Sequence, residues 1–127
     1  MDVITTLNLS EPSAIDTAAV QRLKRELGEK RCRSVVDEMI FEITDTMCRV
    51  ERMVSARSYT GLADSLFKLQ DLSAQMGLVC IVDVINDLVE CLRLEDEIAI
   101  AAITARLVRL GEDGLFALIE FADRCIV

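Results

Sequence analysis

The chain has 127 residues, 14 Lys plus Arg against 22 Asp plus Glu, and a formal charge of −8; 52% of its residues are hydrophobic, with one Pro and five Gly. This is enough apolar material for one ordinary domain and too few turn residues for a sandwich or barrel, so disorder as a whole is excluded and an all-α protein is expected. Histidine is absent, which removes the commonest general base, the commonest zinc ligand and any phosphohistidine relay.

In chain order, residues 1–15 (MDVITTLNLSEPSAI) read as an N-terminal arm with no helical period, and 16–127 as the domain. Asp16 stands where an N-cap would precede a first short helix that ends at Gly28. The second helix is long: Cys32, Val36, Met39, Ile43, Met47, Val50 and Val54 recur at three- and four-residue steps from Lys30 to Ala56, a rod of roughly 40 Å. Asp37, Glu38, Glu42, Asp45, Arg49, Glu51 and Arg52 lie opposite as a solvated face. The third helix is expected to begin at Ser58, with Leu62, Leu66, Leu69, Ser73 and Met76 on one face before Gly77. The short connection makes these two helices antiparallel neighbours.

The fourth segment, LVCIVDVINDLVECL, is rich in β-branched residues and could be a strand. Its length and the helical spacing of Leu78, Ile81, Val82, Ile85, Leu88, Val89 and Leu92 decide for helix. The last segment runs from Glu95 or Asp96 to the C-terminus, with a kink or break expected at Gly111 and Gly114. Four long amphipathic segments with short connections imply an antiparallel up-down four-helix bundle with an extra short N-terminal helix.

The charge disfavours nucleic acid, no stretch is long and apolar enough for a membrane span, and the start of the chain has no signal-peptide pattern, so a cytoplasmic location is expected. The five cysteines (Cys32, Cys48, Cys80, Cys91, Cys125) contain no C-x-x-C pair and read as reduced core hydrophobes. No metal and no cofactor is expected, because none of these thiols has another within four residues and no imidazole can join them. Arg33 beside Cys32 and Arg124 beside Cys125 do not activate a nucleophile, since adjacent helix residues point about 100° apart. The G-E-D-G run at Gly111 to Gly114 puts carboxylates where a phosphate would sit. Glu95, Asp96 and Glu97 are the negative first turn of the last helix. With no acid, base and nucleophile converging, the chain is read as no enzyme.

One residue stands out on the third helix. At 100° per residue, Phe67 falls about 140° from the Leu62 stripe, among Asp64, Asp71 and Ala74. It is either one of the scattered apolar residues that any surface carries, a position the arm covers, or the anchor of a protein interface.

The run LADSLFKLQDLSAQMGLVCIVDVINDLVECL, preceded by RLKRELGEK and a long helix, resembles the histidine-containing phosphotransfer domains of bacterial phosphorelays over residues 16–110. In that family the third segment reads approximately His-x-Leu-Lys-Gly-Ser-x-x-x-x-Gly. The likeness is carried by Leu69, Ser73 and Gly77 and by the ELGE turn at Glu26 to Glu29. Aligned on Gly77, the phosphorylated histidine falls on Phe67, the lysine on Gln70 and the glycine on Asp71. Phe has no nitrogen to accept a phosphoryl group, Gln cannot neutralise one, and Asp adds charge and bulk where phosphate should approach.

The resemblance therefore implies a degenerate, phosphorylation-incompetent member of a two-component phosphorelay. It would bind a response-regulator receiver or related signalling domain through Phe67, Asp64, Lys68, Gln70, Asp71 and Ala74. The alternative is a homodimerising helical scaffold, in which Val3, Ile4, Leu7 and Leu9 of the arm and Phe67 meet a second copy.

Overall fold

A computed structural model describes residues 15–126 of the chain; the expectations for the arm before Ile15, with Val3, Ile4, Leu7 and Leu9, lie outside the described residues. The described residues form five helices and no strand, the all-α class expected: α1 (Ala18–Leu27), α2 (Glu29–Ser55), α3 (Leu62–Gln75), α4 (Val79–Leu94) and α5 (Glu97–Cys125).

Local chemistry sets the ends of these helices. Asp16 does cap α1, its Oδ1 accepting from the Ala18 N–H at 3.1 Å. Gly28, at φ +82°, closes α1 through its N–H to the Lys24 carbonyl and at once starts α2. The ends of α2, α3 and α4 share one hydrogen-bond pattern. Ser58, Leu78 and Asp96 return their N–H groups to the carbonyls of Met53, Ser73 and Cys91, while Arg57, Gly77 and Glu95 between them take positive φ. This is the Schellman closure, which satisfies carbonyls the helix leaves open.

That closure corrects the expected start of the third helix. Ser58 is engaged in ending α2, Gly61 at φ +81° redirects the chain, and α3 begins only at Leu62. It also divides the carboxylate run. Glu95 closes α4, and Asp96 is the N-cap of α5, accepting from the Ala99 N–H at 3.1 Å; Glu97 alone lies in the first turn.

The β-branched segment is helical over Val79–Leu94. A second correction concerns α5, which runs unbroken through Gly111 and Gly114. Both glycines are buried, and Leu107, Leu115 and Leu118 on either side of them are in the core. Packing on that side outweighs the cost of about 1 kcal/mol that a glycine carries inside a helix.

Each long helix packs against the next, and α5 packs back on α2, while α1 lies on α2. Arg33 meets Asp123 at 2.7 Å and Arg57 meets Glu97 at 3.3 Å, joining α2 to α5 near both ends. Lys24 donates from Nζ to the Cys125 carbonyl at 2.6 Å, and the Asp16 N–H donates to the Gly77 carbonyl at 2.7 Å. A Cβ on Gly77 would overlap the Asp16 backbone, so this turn needs glycine for both space and positive φ.

Val36, Ile43 and Val50 from α2, Leu62, Leu66 and Leu69 from α3, Ile81, Ile85 and Leu88 from α4, and Ile100, Leu107 and Leu118 from α5 are enclosed in one cluster. Each is worth about 1.5–3 kcal/mol of transfer free energy. The stripe expected on α2 is largely correct, with Met39 and Val54 only half-buried. The reading of all five cysteines as core residues is not. Only Cys32 is enclosed; Cys80, Cys91 and Cys125 are half-buried, and Cys48 is exposed because it lies one step past the inward-facing Met47. Among the described residues no helix is long and apolar enough to cross a membrane.

Candidate protein-binding site on the third helix

Burial of Leu62, Leu66, Leu69 and Ser73 fixes the rotation of α3 about its axis. Phe67 consequently points away from the core and keeps 52% of its surface exposed. Asp64, Asp71 and Ala74 are exposed beside it, as the helical count places them.

The two remaining candidates are turned to the flanks. Lys68 lies 3.5 Å from the Glu42 carboxylate of α2. Gln70 is half-buried against α4, its Nε2 donating to Asn86 Oδ1 at 2.8 Å and to the Val82 carbonyl at 3.4 Å. Its carboxamide ties two helices together instead of reaching toward solvent. Asp71 accepts from Gln75 Nε2 at 3.1 Å, one turn along the same helix.

The outward part of the site is thus one aromatic ring with Asp64 and Asp71 beside it, and it offers neither a nucleophilic nitrogen nor a free ammonium. It can bury apolar area against a partner and attract positive charge, but it has nothing with which to stabilise a transferring phosphoryl group. Ser73 is fully enclosed and its Oγ has no hydrogen-bond partner among the described residues. Counted from Phe67, the serine of the phosphotransfer pattern falls on Leu72, one residue earlier, so within α3 the likeness rests on Leu69 and Gly77.

Three exposed apolar residues escaped the sequence reading: Phe41 (67% exposed), Phe116 (63%) and Ile119 (40%). The signal was available for Phe41, which sits amid the charged face of α2 next to Glu42. For Phe116 it was hidden, because an expected break at Gly114 leaves no continuous helical count through that residue. Among the described residues no group of three or more Cys, Asp or Glu side chains is placed to hold a metal ion.

Comparison with family models, with curated proteins and with solved structures gives no match to this chain.

Proposed function

We propose that this chain is a non-catalytic, phosphotransfer-like signalling protein of the cytoplasm, which binds a response-regulator receiver or related domain through the Phe67 face without accepting a phosphoryl group. In this reading the four long helices are the antiparallel up-down bundle of a phosphotransfer domain and α1 is its extra N-terminal helix. The contacts that run around α2, α3, α4 and α5, with ion pairs near both ends of α2 and α5, support that arrangement.

The observation that carries the proposal is the outward ring of Phe67 on α3, at the position where the family displays its imidazole. The flanking substitutions support recognition without transfer. Gln70 is engaged with Asn86, and Asp71 places a carboxylate one turn from the ring. Affinity would come from apolar burial and would not depend on phosphorylation of this chain.

The test is capture of purified receiver domains by the wild type and by Phe67→Ala, beside a radiolabelled phosphotransfer assay. Capture by the wild type is expected to be lost in Phe67→Ala with the helix content unchanged, and no label is expected on either chain. Restoring Phe67→His alone should leave the chain unlabelled, because Gln70 and Asp71 remain. Efficient labelling of that single variant would overturn the role given to the flanking residues, and a dimer dissolved by Phe67→Ala would transfer the site to a second copy.

A further inference from the structure

A second exposed apolar surface lies on α2 and α5, away from α3, and does not rest on the reading of Phe67. Arg33 meets Asp123, Met47 lies against Gly111, and Arg57 meets Glu97. Each step forward along α2 is therefore matched by a step back along α5, which brings Phe41 level with the turn containing Phe116. Ile119 follows one turn further along α5. These are among the most exposed large apolar side chains of the described residues.

The charges around the two rings follow one pattern. Residues three and four positions away on a helix are surface neighbours. For Phe41 these include Asp37, Glu38 and Asp45; for Phe116 they include Glu112, Asp113 and Glu120. Asp37 and Asp45 are engaged by Arg33 and Arg49. Glu38, Glu112, Asp113 and Glu120 meet no cation among the described residues. Two apolar anchors inside a rim of unneutralised carboxylates match a helix that is apolar on one face and basic on its flanks.

We propose that the α2–α5 face is a docking surface for a basic amphipathic helix of another protein. A second copy would bring two such acidic rims together, on chains that each carry −8, and anionic lipid or nucleic acid would be repelled for the same reason. With the Phe67 surface on α3, the chain would then present two apolar docking surfaces on different helices.

The test uses the full chain and a fluorescein-labelled synthetic peptide with leucines at helical spacing on one face and lysines on the other. Fluorescence anisotropy should show binding that weakens with salt. The Phe41→Ser, Phe116→Ser double variant, its helix content checked by circular dichroism, should raise Kd by about tenfold or more, whereas Phe67→Ser should change it by less than about twofold. A version of the peptide with glutamates in place of lysines should not bind. The proposal is overturned if the lysine peptide fails to bind, if the double variant binds it as well as the wild type, if the glutamate peptide binds equally, or if sedimentation shows a dimer that Phe116→Ser dissolves.

Discussion

The thioether of Met47 occupies the space that a side chain at Gly111 would need: a Cβ there would overlap the sulfur and crowd the terminal methyl. Contact between α2 and α5 at this level depends on the glycine. The residue that reads in sequence as a helix breaker is, in the folded chain, a point of close approach inside an unbroken helix.

Gly111→Ala therefore sets a gain of about 1 kcal/mol in helix propensity against an overpacking cost of about 1–3 kcal/mol. The expected result is a net loss of stability in the wild type. In a Met47→Ala background, where the sulfur is gone, the same substitution should become neutral or stabilising. Urea denaturation of the four chains measures the coupling, and additive effects would contradict the close approach.

Neighbouring residues on α3 should differ sharply in what they contribute to folding. Leu66 and Leu69 are fully enclosed, and truncating either to alanine should cost about 2–5 kcal/mol. Phe67→Ala should cost less than about 1 kcal/mol, because the ring already stands half in water. Thermal or urea unfolding separates the two cases, and a Phe67 loss as large as that of Leu69 would show the ring to be part of the core.

Glu95 holds a left-handed conformation that favours glycine, at φ +58°. Glu95→Gly relieves a strain of about 1–2 kcal/mol, offset in part by about 0.4–1 kcal/mol of added unfolded-chain entropy. A small rise in melting temperature is expected. Arg57→Gly, at φ +54°, should act in the same direction, less the contribution of its exposed pair with Glu97.

The thiols should report the packing directly. Cys48 is exposed and should react first with an aromatic disulfide reagent, whereas Cys32 should react only as the chain opens. Burial pushes the Cys32 thiol above its ordinary value, against the smaller opposing effects of Lys24 and Arg33. Because the folded-state value is raised, the stability linked to this group is fully present below the ordinary thiol range and declines as pH rises through that range toward the raised value. Unfolding measured across the alkaline range should show this decline in the wild type, and Cys32→Ala should flatten it.

Much of the fold is legible in the sequence because it depends on one-dimensional periodicity. The spacing of Leu62, Leu66, Leu69 and Ser73 alone turns Phe67 outward, and the length of the Val79–Leu94 segment alone decides helix over strand. Where three-dimensional neighbours compete with local preference, the sequence is silent or misleading. Nothing local says that Arg57 and Glu95 would take positive φ, so neither the late start of α3 nor the splitting of the Glu95–Glu97 run could be read. Nothing local says that Gly111 would meet Met47, residues far apart in the chain. The same holds for Phe41 and Phe116: each is exposed on its own helix, and only the packing of α5 on α2 makes them one surface. Helix identity and facing are properties of a segment and its solvent, whereas closures, continuity and composite surfaces depend on which segments come into contact.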